Sequence, residues 1–242
     1  LQAIMARLHY YSRYQIQPGE VTHQSTNSIV RMAVDHGHLF EGPVDSDKKA
    51  TPKKELKVAL KFMKYREQYD REVTLRASFP FAEKFVVPVL CSHDSDADPA
   101  YKAETVAKGL AKYPYLITMV AAERDLLGAT LHEHFSGRDF EKVKVYAKQI
   151  LEALEHLHDM GIIHGDIKPL NIVRNNGRFK IIDLGASVRF GDFAGTSKTS
   201  TAYLPPEMVF KKMALFVNDL DAGKNDEKTD YFSQHEATNY TL

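Results

Sequence analysis

Acid, amide and ammonium groups crowd into one short stretch of this chain. It reads His164-Gly165-Asp166-Ile167-Lys168-Pro169-Leu170-Asn171, and Asp183-Leu184-Gly185 follows soon after. Carboxylate and amide oxygens are hard ligands that suit a hard divalent cation. An aspartate can also take a proton from a hydroxyl, and a nearby lysine can neutralise anionic oxygen. A phosphoryl group in transit needs its charge neutralised and its acceptor oriented, and these residue types can do both. A DxxxxN spacing by itself is equally what a capped helix, a loop and an exposed hairpin leave behind.

Four further stretches carry polar groups in suggestive places. Val58-Ala59-Leu60-Lys61 alternates, so Ala59 and Lys61 share one strand face while Val58 and Leu60 share the other. Taken alone, a lysine ending an apolar run is a solvated strand end. Arg71-Glu72-Val73 lies in a polar, helix-compatible segment, and Tyr115–Leu126 reads as a strand running into a turn. Thr201-Ala202-Tyr203-Leu204-Pro205-Pro206-Glu207 closes a hydroxyl-rich segment that holds Thr196, Ser197, Thr199 and Ser200.

In this order and approximate spacing, the motifs from about Tyr14 to Glu207 resemble the eukaryotic protein-kinase family, Ser/Thr type. The resemblance implies an α+β, bilobal fold and transfer of the γ-phosphate of ATP, with Mg2+, to a protein Ser or Thr hydroxyl. By resemblance Asp166 is the catalytic aspartate, and Lys168 contacts the γ-phosphate in the Ser/Thr pattern. Asn171 and Asp183 hold the magnesium ions. Lys61 contacts phosphate, with Glu72 as its ion-pair partner in preference to Glu67. Ala59 roofs the adenine, Val173 packs beneath it, and Val30 follows the nucleotide loop in which Ser25 lies. Counting back from Asp125-Leu126 puts Thr118 at the gatekeeper position and makes Met119 to Ala121 the hinge, with Asp125 near ribose. Ser200 stands where the family has a threonine that touches the catalytic Asp and Lys.

The pattern departs from the family in three places. The nucleotide loop, His23-Gln24-Ser25-Thr26-Asn27-Ser28, has no glycine, although glycines normally let backbone N–H groups approach the phosphates. The alternative at Gly37–Gly42 lacks the flanking strand pattern. Gly165 replaces the arginine that usually receives an activation-loop phosphate, and Leu184 replaces phenylalanine. The family's next helix and the arginine partner of Glu207 are expected beyond Leu242, so the second lobe is read as incomplete. The start at Leu1, inside a helix-like run Leu1–Leu8, reads as a fragment of something longer.

The elements that must position these residues follow from periodicity. Strands are expected at Tyr14–Ile16, Ser28–Asp35, Leu56–Met63, Phe85–Cys91 and Tyr115–Val120, with a helix over 65–76. His36–Glu55 reads as a polar surface loop and His93–Pro99 as an acidic loop. Val143, Ala147, Ile150, Leu151, Leu154 and Leu157 mark one helical face, capped by Asp139 and stopped by Gly161. Ile172–Arg174 and Phe179–Ile182 read as a hairpin turned by Asn175-Asn176-Gly177. The tail Asn218–Tyr240 is polar and reads as loop. Residues 1–120 are expected to form the first lobe and 121–242 the second.

Composition sets the outer bounds. Apolar residues are 43% and charged residues 26% of 242, enough for a sizeable core. Lysine and arginine total 32 against 32 acidic residues, so bulk charge gives no reason to expect nucleic acid as a partner. Apolar runs are too short to span a bilayer, so no membrane segment is expected. The single cysteine, Cys91, rules out an internal disulfide and fits a cytoplasmic, intracellular setting. A phosphotransfer-silent binding module is the other reading, motivated by the glycine-free loop. Asp-Ile-Lys-Pro and Pro-Pro-Glu argue against a small-molecule kinase.

Overall fold

The computed structural model of the chain describes residues 9–10, 13–16, 23–36, 56–192 and 203. The Leu1–Leu8 run, the 37–55 part of the surface loop with its alternative Gly37–Gly42, Thr196, Ser197, Thr199, Ser200, Thr201, Glu207 and the 218–240 tail lie outside the described residues. The chain divides into two compact units, 1–73 with 87–122, and 74–86 with 123–242. The stretch 74–86, expected with the first 120 residues, groups with the second unit. Its Leu75 is buried with Ile162 and Leu184, and its Val86 with Ala153, Leu157 and Ile181.

The first unit is a twisted antiparallel sheet. Its strands are β1 (His9–Tyr10), β2 (Tyr14–Ile16), β3 (His23–Gln24), β4 (Ser28–Asp35), β5 (Leu56–Met63), β6 (Val89–Asp94) and β7 (Tyr115–Val120). They run in the order β1-β2-β4-β5-β7-β6, with β3 hairpinned onto β4. Alternation decides which side chains meet. Val58, Leu60 and Phe62 of β5 bury one face with Tyr10, Tyr14, Ile29, Leu116 and Tyr101. Helix α1 (Arg66–Ser78) follows β5.

Two elements here depart from expectation. The strand expected at Phe85–Cys91 runs instead from Val89 to Asp94. Phe85 and Val86 serve the second unit, where Ile181 N–H donates to the Phe85 carbonyl at 2.8 Å and Val86 bridges Ile181. The acidic loop at 93–99 is a strand end, a turn and a helix start. Asp98 Oδ1 accepts the N–H groups of Ala100 and Tyr101 at 3.0 Å each, and Pro99 opens helix α2 (Pro99–Ala107). An aspartate cap followed by proline at the first helical position is a strong start signal.

The second unit holds helices α3 (Leu126–Glu133) and α4 (Phe140–Asp159). Asp139 caps α4 by accepting Lys142 N–H at 2.9 Å, as expected. Strands β10 (Ile172–Asn175) and β11 (Arg178–Ile181) form the expected hairpin, turned at Asn176 (φ 53°) and Gly177 (φ 71°). Positive φ at both central residues suits the right-handed twist of the flanking strands. The two-residue strand β8 (Arg124–Asp125) adds to β10, while β9 (Ile162–Ile163) pairs with β12 (Val188–Arg189). Phe179 and Ile172 pack with Ala129 and Phe135, and Ala153 and Leu157 of α4 pack with Ile181. Among the described residues no helix is long and apolar enough to cross a membrane. The antiparallel sheet of the first unit and the helices and hairpin of the second give the expected α+β, two-unit architecture.

Candidate active site

In the first unit, β4, β5 and β7 set one group of candidate residues side by side. Directly opposed residues of an antiparallel pair share a face. Val30 opposes Lys61, Met32 opposes Ala59, and Ala59 opposes Met119. Val30, Ala59, Lys61 and Met119 therefore lie on one face. Lys61 Nζ donates to Glu72 Oε2 of α1 at 2.9 Å, with both residues buried. Glu67 is instead paired with Arg71 one turn along the same helix.

Thr118 is corrected by the same register. It opposes Leu60, so its side chain belongs to the other face of the sheet. There its hydroxyl donates to Tyr14 Oη at 3.2 Å, and Tyr14 Oη lies 2.9 Å from Cys91 Sγ. Burial pushes the Tyr14 phenol well above its ordinary range, so it stays neutral. The residue beside Ala59 at this point of β7 is Met119, one position on from the count. A slip of one residue exchanges the faces of a strand. Ala121 is corrected in part, because its N–H donates to the Lys57 carbonyl at 3.0 Å and so extends the sheet. That donor is not open to a base edge.

The glycine-free loop is tighter than the His23–Ser28 reading. His23 and Gln24 pair with Val30 and Ile29, leaving Ser25-Thr26-Asn27-Ser28 as the turn. Ser25 N–H donates to the Ser28 carbonyl at 2.9 Å, and Ser25 Oγ accepts the N–H groups of Asn27 at 3.3 Å and Ser28 at 3.1 Å. None of these four residues has positive φ. A serine hydroxyl closes the turn where a glycine would supply backbone freedom.

In the second unit, the catalytic-type loop gathers Asp166, Lys168 and Asn171. Lys168 Nζ donates to Asp166 Oδ2 at 2.8 Å. Asn171 Nδ2 donates to the Asp166 carbonyl at 2.7 Å and to Asp166 Oδ2 at 3.0 Å. Asp166 is thus a nearly buried carboxylate fixed by an ammonium and an amide. The Ile182 N–H donates to the Asn171 carbonyl at 3.0 Å, which sets the residue before Asp183 beside Asn171. Asp183 itself has φ 66°, left-handed for a residue with a Cβ, and its Oδ1 accepts Gly185 N–H at 3.3 Å. Such a conformation costs of order 1–3 kcal/mol and persists only where the surroundings hold it. Leu184, fully buried against Leu75 and Ile162, supplies that hold.

Val173 and Asp125 are directly opposed on β10 and β8. Asp125 Oδ1 accepts Gly128 N–H at 2.7 Å as the cap of α3, so one of its two oxygens is committed to the helix. The candidate metal ligands Asn171 and Asp183 are both oxygen donors, and the Asn171 amide nitrogen is turned to Asp166, leaving Oδ1 as its acceptor end. This donor set fits a hard divalent cation that keeps water and phosphate as its other ligands. Ser187, at 1% exposure, donates its hydroxyl to the His164 carbonyl at 3.0 Å, and no sequence motif singled it out.

Compared with protein families, residues 44–234 match the protein kinase domain. Over 106 residues the chain is 30% identical to a calcium/calmodulin-dependent protein kinase kinase, cmkC, of Emericella nidulans, covering 42% of this chain and 20% of that protein. Over 97 residues it is 38% identical to Aurora kinase A-B of Xenopus laevis, covering 39% and 21%. Over 94 residues it is 34% identical to 3-phosphoinositide-dependent protein kinase 1 of Arabidopsis thaliana, covering 33% and 19%. These matches span about a fifth of the length of each relative.

Proposed function

The chain belongs to the protein kinase domain family, and from that premise we propose that it is an active serine/threonine kinase, moving the γ-phosphoryl group of ATP to a protein Ser or Thr hydroxyl. The observation that carries this reading is the fixed carboxylate of Asp166, held by Lys168 at 2.8 Å and Asn171 at 3.0 Å. The acceptor oxygen attacks the γ-phosphorus, the bond to the bridging oxygen breaks, ADP leaves, and the hydroxyl proton passes to Asp166. Lys168 stands beside that carboxylate as the cation for the transferring group. Lys61, oriented by Glu72, offers its ammonium to the phosphates of ATP. Asn171 and Asp183 would hold Mg2+, which when bound neutralises phosphate charge. A single cysteine suits the proposed intracellular setting.

A second reading is favoured by the turn at Ser25–Ser28, whose side chains stand where glycines would admit phosphate. In that reading the domain binds partners without transferring phosphate. Incubation of the protein with radiolabelled ATP, Mg2+ and generic protein substrates separates the two. Label on serine or threonine that is lost in Asp166→Asn supports the kinase reading. No transfer by the parent protein supports the binding module.

A further inference from the structure

We infer that Ser187 is a positioning residue for the proposed phosphotransfer, its hydroxyl fixing the backbone that places Asp166 relative to Asp183. The inference rests on the kinase reading and assigns part of its regulation to this seam. The starting point is a register. Strands β9 and β12 pair Ile162 with Arg189 and Ile163 with Val188. The same antiparallel offset continues past both strands. Ser187 Oγ meets the His164 carbonyl at 3.0 Å, and Gly165 lies against Ala186.

The continuation is not an ordinary ladder. The Ser187 N–H turns away to the Leu184 carbonyl at 3.0 Å, closing the short 3-10 turn that follows Asp183. The donor that this register brings to the His164 carbonyl is therefore the Ser187 side chain and not its backbone. Both residues are buried, Ser187 at 1% and His164 at 2% exposure, so water does not substitute readily.

His164 is the piece that this bond holds. Its Nδ1 accepts the Asp166 N–H at 3.2 Å and its Nε2 lies 3.0 Å from the Ile182 carbonyl. Accepting at Nδ1 requires the proton at Nε2, which then donates to Ile182. One imidazole therefore touches the backbone of Asp166 and that of the residue before Asp183. Ser187 fixes the same residue through its carbonyl. Gly165 permits the close approach. It has φ +77°, and a Cβ there would stand 2.4 Å from the Ala186 carbonyl oxygen.

The test is native-state hydrogen exchange, followed residue by residue, on the parent protein, Ser187→Ala and Gly165→Ala, together with steady-state kinetics. In Ser187→Ala the Asp166 and Ile182 amides should exchange about tenfold faster, while Val173 and Phe179 in the hairpin stay within about twofold. The kcat should fall about tenfold with KM for ATP within about twofold. Gly165→Ala should give the same local pattern. Unchanged exchange at Asp166 in Ser187→Ala overturns the assignment. So does uniform loosening of the hairpin along with Asp166 in both variants, which would make the seam ordinary packing. If the parent protein transfers no phosphate, the kinase reading fails, and the exchange data still decide whether Ser187 positions Asp166.

Discussion

Lys61 Nζ stands 2.9 Å from Glu72 Oε2, and the two residues are 4% and 0% exposed. Removing one partner of such a buried pair typically costs about 3–5 kcal/mol. Lys61→Met should therefore lose stability as well as turnover. Lys61→Met combined with Glu72→Met removes both charges and should recover much of the stability while remaining inactive. Urea unfolding of the three proteins checks this. Equal midpoints for the single and double variants would show that Glu72 does not need Lys61.

Asp166→Asn and Asp183→Asn test the two carboxylates separately. Loss of one preorganised charged group typically costs about a hundredfold to a thousandfold in turnover. Neither change alters side-chain volume much, so both variants should keep a cooperative thermal transition. Asp183 already sits at φ 66°, a region asparagine tolerates well. Parent-like turnover in Asp183→Asn would remove that residue from any role as a metal ligand.

What the sequence made legible, and what it did not, divides on physical lines. The alternation of β5 identified the Lys61 face, and Asn176-Gly177 identified the hairpin, because both signals are local. Helix α4 was legible from its apolar face and its Asp139 cap. Thr118 was misplaced because counting from a distant motif tolerates one residue of error, and a strand face does not. The apolar run at Phe85–Cys91 reads as one strand, yet its first residues are buried in a different unit from its last. Helix α2 was missed although Asp98-Pro99 is a helix start, because the surrounding acidic residues read as loop. Ser187 left no signal at all. Its function depends on a carbonyl in a segment far along the chain.

The Ser25–Ser28 turn should limit nucleotide affinity. Ser25 Oγ is committed to the N–H groups of Asn27 and Ser28, so neither donor is free for phosphate in this arrangement. Replacing Ser25 and Ser28 together by glycine removes the hydroxyl acceptor and the Cβ atoms and should tighten Mg-ATP binding. Isothermal titration of the two proteins measures it. Tight binding by the parent, unchanged in the glycine variant, would show that the turn is not limiting.

Activity should not depend on phosphorylation of the segment after Asp183. Gly165 offers no guanidinium to pair with a phosphate. Restoring an arginine at this position should harm the enzyme, because φ is +77° and a Cβ would lie 2.4 Å from the Ala186 carbonyl oxygen. Phosphatase treatment of the active protein, with mass spectrometry to confirm removal, is the check. Loss of turnover that rephosphorylation restores would contradict the expectation.

The stability of the second unit should fall as pH drops below neutrality, and His156 should carry part of that loss. His156 Nε2 accepts the Ala82 N–H at 3.0 Å, so this bond needs the neutral ring. The ring also packs on Phe85, with centroids 4.9 Å apart. Burial is the largest influence on its pKa and lowers it, opposed by the charge of Asp159 and assisted by Lys84. A histidine whose pKa is depressed on folding binds its proton more readily in the unfolded chain. Stability is therefore fully present above the ordinary imidazole pKa of about 6.5 and is lost as pH falls below it. His93 in the first unit is shifted in the same direction, also chiefly by burial, so it contributes a slope of its own. His156→Gln offers an amide oxygen to Ala82 without titrating. Urea midpoints measured from pH 7.5 down to about pH 5 should decline less steeply in His156→Gln than in the parent. Identical slopes would mean that the Ala82–His156 bond contributes nothing to the pH dependence, and His156 would then not carry the loss.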